Sequence, residues 1–121
     1  MERLTQPEEE AMRAFWQLEG GFIKDVLELL PEPRPPYTTL ASTVRNLERK
    51  GYLQGEKLGN TFRFTPLIAA EEYRKRFMST FVGDYFRNSY KELVSFFAKD
   101  QKISAEELKE IVRMIEEGKA E

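Results

Sequence analysis

Thr38, Thr39, Ser42, Arg45, Asn46 and Arg49 fall at spacings that place them together on one helix face, and their chemistry is that of a surface able to meet nucleic acid. Short hydroxyls approach base edges or phosphates closely, Asn can pair with adenine through two bonds, and Arg can read guanine or grip a phosphate. Lys57, Asn60 and Arg63 follow on or beside a Gly-containing turn, from which they could reach flanking backbone. A solvated amphipathic helix that uses Thr as its cap would carry the same residues, so the outward set alone leaves both readings open. The sequence has no His and no Cys, which removes imidazole bases and ligands, thiol nucleophiles, disulfides and thiolate metal sites together. Its carboxylates spread along helix faces without converging. No catalytic residue, metal or cofactor is therefore expected, and the chain reads as a non-enzyme.

Charge distribution points the same way as the motif. The 121 residues carry 19 Lys and Arg against 21 Asp and Glu, a net charge of -2. That average conceals a basic middle: Met1 to Pro33 holds three basic and eight acidic residues, whereas Arg34 to Arg63 holds six basic (Arg34, Arg45, Arg49, Lys50, Lys57, Arg63) and two acidic (Glu48, Glu56). No run approaches the roughly 18 apolar residues of a membrane span. The opening Met1-Glu2-Arg3-Leu4-Thr5 lacks the layout of a secretion signal, so a cytoplasmic location with no membrane partner is expected.

The elements that must hold these residues can be read from periodicity and punctuation. Thr5-Gln6-Pro7-Glu8 has the form of a capping box, so the acidic run Glu8-Glu9-Glu10 reads as a helix start and not as a site. Ala11, Met12, Phe15, Trp16 and Leu18 carry that helix from about Gln6 to Glu19, where Gly20-Gly21 stops it. A short second helix buries Phe22, Ile23, Val26, Leu27, Leu29 and Leu30 and ends at Pro31; the Pro-rich run to Pro36 is an extended connector. A third helix, from Tyr37 or Thr38 to Lys50, turns Leu40, Val44 and Leu47 inward and is closed by Gly51. Two short β runs follow around Lys57-Leu58-Gly59-Asn60, with Phe62 and Phe64 as core plugs and Pro66 at the end. A long helical stretch begins near Ile68 and breaks at Gly83 or Asn88-Ser89, and a last helix opens on a second capping box at Ser104-Ala105-Glu106-Glu107.

Three helices and a basic hairpin form the order of a winged helix-turn-helix domain, so the fold expected is mainly α: a winged helix-turn-helix over 1–66, then a helical region over 67–121. That second region carries Phe77, Phe81, Tyr85, Phe86, Leu93, Phe96, Phe97, Leu108, Ile111 and Ile115, more apolar area than so short a segment shields alone. It reads as a dimer interface. A mini-core folded back on the first domain, or a ligand pocket, are the alternatives.

Leu4-Thr5-Gln6-Pro7-Glu8 with Met12 and Trp16, Tyr37-Thr38-Thr39-Leu40, Leu47-Glu48-Arg49-Lys50-Gly51-Tyr52-Leu53 and Phe64-Thr65-Pro66-Leu67 together resemble the penicillinase repressor (BlaI/MecI) family of transcriptional regulators over nearly the whole chain. The resemblance implies a homodimeric repressor whose C-terminal helices dimerise and whose paired winged helices bind a palindromic operator in double-stranded DNA. By position, the family's DNA-contacting places in the third helix fall on Thr38, Thr39, Ser42 and Asn46, which agrees with the outward set. It also implies a regulatory protease that cuts an Asn-Phe bond; the counterpart here is Ser95-Phe96, and the Asn is missing. A copper-responsive branch of the family uses a C-terminal cysteine cluster, which this chain lacks. Two other readings remain at this point: a winged-helix module that binds protein, and a ligand-responsive regulator with its effector in the aromatic region.

Overall fold

Thr5 and Glu8 cap each other at the first helix, the Thr5 hydroxyl accepting the Glu8 amide at 3.3 Å and the Glu8 carboxylate accepting the Thr5 amide at 2.8 Å. The computed structural model describes residues 3–118; Met1 and Glu2 of the opening segment, and the last three residues, lie outside the described residues. Helix α1 spans Gln6–Leu18, β1 Gly21–Phe22, α2 Ile23–Leu29 and α3 Tyr37–Arg49. Strands β2 (Leu53–Leu58) and β3 (Thr61–Pro66) come next, then α4 (Ala70–Phe86), α5 (Tyr90–Lys99) and α6 (Ala105–Glu116). The mainly helical fold with a wing after the third helix is thus present. Among the described residues no helix is long and apolar enough to cross a membrane.

The sheet is antiparallel in the order β1-β3-β2, with Leu58 opposite Thr61 so that Gly59-Asn60 alone turns the hairpin. The third strand, β1, was not expected. Phe22 belongs to it, pairing with Arg63, and not to the second helix. Two residues are too short to display a period, and only β3 supplies the hydrogen bonds that make them a strand. Helix α1 also ends differently: Glu19 and not a glycine takes the first left-handed position, at φ 58°. Pro66 lies within β3 at its last position, where a missing donor costs no ladder bond.

The core of the first unit is built from α1, α2, α3 and the sheet. Ala11, Met12 and Phe15 of α1 meet Val26 of α2, Leu40, Val44 and Leu47 of α3, Tyr52 and Leu53 at β2, Phe64 of β3 and Ile68, all buried. Leu29 departs from the expected face and is exposed, because α2 is only seven residues long and ends before that side is covered. Gly51 ends α3 as expected, at φ 88°, with the Tyr52 amide reaching back to the Leu47 carbonyl at 2.9 Å.

The chain divides into two compact units, Met1–Arg74 and Lys75–Glu121, so the division falls about one turn inside α4 and not at the 66/67 boundary expected from Pro66. Contacts of the first turn account for it. Trp16 Nε1 donates to the Ile68 carbonyl at 2.8 Å, and the Tyr73 ring lies 5.6 Å from Trp16 and 5.9 Å from Tyr52. The Tyr73 hydroxyl donates to Glu9; burial first, then the Glu9 carboxylate, push its pKa above the ordinary tyrosine value.

Glu8, expected as part of a capped helix start and not as a site, is 4% exposed. Its carboxylate accepts from Lys50 Nζ at 2.7 Å. Burial works to raise the Glu8 pKa, but the bonds from Lys50 and Thr5 and the Lys50 charge outweigh it and hold the carboxyl below its ordinary value. The stability that this supplies is complete above the ordinary carboxylate pKa and is lost as pH falls through the lowered folded value. Glu8→Gln is therefore expected to flatten the acid side of a stability-against-pH curve, measured by denaturant melts from neutral pH down to pH 3.

Candidate nucleic-acid interface

Helix α3 buries Leu40, Val44 and Leu47 and leaves Thr38, Thr39, Ser42, Arg45, Asn46 and Arg49 exposed, so the structure brings the whole outward set onto one face. The start of α3 settles how its Thr residues are used. Caps from Thr5, Ser89 and Ser104 close α1, α5 and α6, but α3 begins at Pro36, whose ring offers no side-chain bond to the helix. Neither Thr38 nor Thr39 serves as the cap. The first turn of α3 keeps its amide end and its hydroxyls on the surface, where the helix dipole favours an anion. Two turns later, Arg49 Nη2 donates to Asn46 Oδ1 at 3.2 Å, so these two side chains are coupled before any ligand arrives.

The wing approaches this helix through one glycine. Gly55 N donates to Glu48 Oε2 at 3.2 Å, and a Cβ at Gly55 would stand 2.8 Å from Phe64 Cε1 and 3.1 Å from that carboxylate oxygen. Between α3 and β3 lies a cleft of about 320 Å³ lined by Tyr37, Arg45, Glu48, Asn60, Thr61 and Phe62, with Ile23, Ala41 and Phe64 at its apolar side. Arg45 and Asn60 thus face one space from two elements. Gly55→Ala is expected to keep the fold but move the wing off Glu48, lowering stability by about 1–3 kcal/mol and weakening DNA binding, checked by thermal melts beside binding titrations.

Placement revises the basic surface. Lys57 and Asn60 are exposed at the hairpin tip, but Arg63 is half-buried, its guanidinium lying over Gly20 and donating to Thr65 Oγ1 at 3.2 Å. Arg34 closes α2, donating to the Leu30 and Glu28 carbonyls at 3.2 and 2.8 Å, and Lys50 is engaged by Glu8. Arg34, Arg45, Arg49 and Lys57 are the cations of that stretch that stay exposed, and of these Arg34 is held by the end of α2. Phe62 is a correction: at 48% exposure it is no core plug. Phe64 on the same strand face reaches Phe15, ring centroids 6.2 Å apart, whereas Phe62, nearer the tip, lies beyond the edge of the core.

In the second unit α4 runs through Gly83 and ends at Phe86; Arg87 and Asn88 take left-handed conformations and Ser89 caps α5, so the Asn88-Ser89 break is the one that occurs. Rings form a chain from Phe77 through Phe81 and Phe86 to Phe96 and Phe97, with the Phe86–Phe96 centroids 5.8 Å apart. Among the described residues of this unit Val82 is the one fully buried apolar side chain. Phe81, Phe86, Leu93 and Leu108 are half-buried, while Phe77, Tyr85, Phe96, Phe97, Ile111 and Ile115 are exposed, Tyr85 to 69% and Ile115 to 62%. Phe77, Met78, Phe81, Leu93, Val94 and Phe97 line an open apolar groove with Ile103. The Ser95-Phe96 peptide lies in the middle of α5.

A family model described as penicillinase repressor matches residues 4–117. A penicillinase repressor of Bacillus licheniformis is 24% identical over 118 residues, an alignment covering 97% of this chain and 92% of that protein.

Proposed function

The chain belongs to the penicillinase repressor family, and from that membership we propose that this transcriptional repressor acts as a homodimer on a palindromic operator, reading it with α3 and steadying it with the wing. The observation that carries the reading is the exposed polar face of α3: Thr38, Thr39, Ser42, Arg45, Asn46 and Arg49 are exposed together on a helix whose start no side chain caps. A helix that presents hydroxyls first and longer donors after them can meet base edges with its early turns and phosphates with its later ones. Lys57 and Asn60 at the wing tip reach flanking phosphates; Arg63, lying over Gly20, braces the wing to β1. Dimerisation through the second unit is supported by its exposed Phe77, Tyr85, Phe96, Phe97, Ile111 and Ile115, an apolar surface that a second copy would cover.

Release of the operator follows cleavage at Ser95-Phe96 by a regulatory protease. That bond sits within a helical turn, so the protease needs α5 to open locally before it can cut. The other occupant of the same face would be a ligand in the groove lined by Phe77, Phe81 and Phe97. Operator binding measured across salt concentrations tests DNA recognition against protein recognition by the same face. A DNA reader loses affinity as a straight line in log salt, with a slope near -0.9 per phosphate engaged; binding that does not respond to salt contradicts the proposal.

A further inference from the structure

Glu8 stands at the third position of α1, 42 residues from Lys50, the residue that follows the last turn of α3. Their ion pair, 2.7 Å between Lys50 Nζ and Glu8 Oε1, is almost sealed from water, with side-chain exposures of 10% and 5%. Each partner has a second anchor on the same strip of backbone: Glu8 Oε1 also accepts the Thr5 amide at 2.8 Å, and Lys50 Nζ donates to the Arg3 carbonyl at 3.3 Å. The end of α3 is therefore held by directional bonds to the start of α1. Its middle is held otherwise, by Leu40, Val44 and Leu47, and apolar packing is non-directional. Rotation of α3 about its axis is opposed at the Lys50 end, one turn from the coupled Asn46 and Arg49.

We infer that Glu8 and Lys50 are positioning residues for DNA recognition, an ion-pair clamp that sets the angle at which α3 presents Asn46 and Arg49 to base edges. Neither touches DNA. The inference rests on the proposed reading of α3 as the recognition helix. It makes a prediction opposite in sign to simple charge. Neutralising Glu8 adds one net positive charge, and electrostatics alone would then tighten binding to every duplex. Loosening the clamp instead lowers preference for the operator while binding to unrelated DNA stays level or rises.

The test uses the full chain with Glu8→Gln, Lys50→Met and the double variant. Affinity is measured for the selected operator and for a scrambled duplex of equal length, well below each variant's melting midpoint. Each single variant should cut the operator-to-scrambled ratio roughly tenfold or more, the size of one lost base-edge contact. The double variant leaves no unpaired buried charge, keeps a Gln acceptor for Thr5 and fills the Lys stem with Met. It should therefore recover most of the melting midpoint but not the ratio, because Met makes no directional bond to the start of α1; recovery of the ratio along with the midpoint would overturn the clamp. A mere stability role would lower the melting midpoints and leave the ratio untouched, and that result overturns the clamp. A wild-type chain with no preferred duplex would overturn the DNA reading beneath it; a wild-type preference that survives both single variants overturns the clamp alone.

Discussion

A chain ended after Ser95 is expected to bind its operator roughly 10²- to 10⁴-fold more weakly than the intact chain, the factor lost when two linked binding events become independent. The cut leaves α1 to α3 and the wing whole. It removes Phe96, which packs its ring on Phe86, together with Phe97 and all of α6 with Leu108, Ile111 and Ile115. Those side chains supply much of the apolar face proposed to join two copies, so sedimentation should find the truncated chain largely monomeric at concentrations where the intact chain is a dimer. A chain ended after Arg74 should still fold, since Ile68 and Tyr73 stay with Trp16 and Tyr52, whereas ending at Pro66 would strip both from the first unit's core. Unchanged operator affinity after truncation at Ser95 would separate the second unit from DNA binding and discard cleavage as the route of release.

Replacing Arg45 and Arg49 together by Ala is expected to be the most damaging change on the reading face. Each Arg that neutralises a phosphate contributes about 0.9 to the slope of log affinity against log salt, so losing both should flatten it by nearly 2. The two should differ in what they do to sequence preference. Arg45 faces the cleft beside Asn60, where backbone contact is the natural use. Arg49 is bonded to Asn46 Oδ1, the acceptor that Asn46 would offer to adenine, so Arg49→Ala should alter preference as well as affinity. Thr39→Ala and Asn46→Ala should cost about 1–3 kcal/mol on the preferred site alone. Binding titrations on preferred and scrambled duplexes at several salt concentrations separate these effects; four variants indistinguishable from wild type would remove α3 as the reader.

What the sequence made legible was local. Leu40, Val44 and Leu47 repeat at helical spacing, and that spacing alone marks the inner stripe of α3 and, with it, the outward set. Capping boxes at Thr5 and Ser104 and the stop at Gly51 are likewise written within a few residues. What escaped depends on partners far along the chain. Glu8 looks like any acidic residue in a first turn, because nothing nearby tells that Lys50 will lie against it. Arg34, Lys50 and Arg63 counted equally with Arg45 in the charge of the middle segment, yet α2's end, Glu8 and the Gly20 surface engage them. Phe62 and Phe64 share a strand face, and strand alternation cannot say where along that face the core ends. For β1 there is no period to detect in two residues.

Recognition of a two-fold symmetric DNA sequence by two copies of this chain, each reading through α3, can be measured by selecting bound fragments from the whole source genome with the purified full chain and aligning the enriched sequences. The expected result is an inverted repeat whose half-sites lose enrichment when Asn46 or Arg49 is replaced. Enrichment of single unrepeated sites, or no enrichment over input at moderate salt, would contradict it.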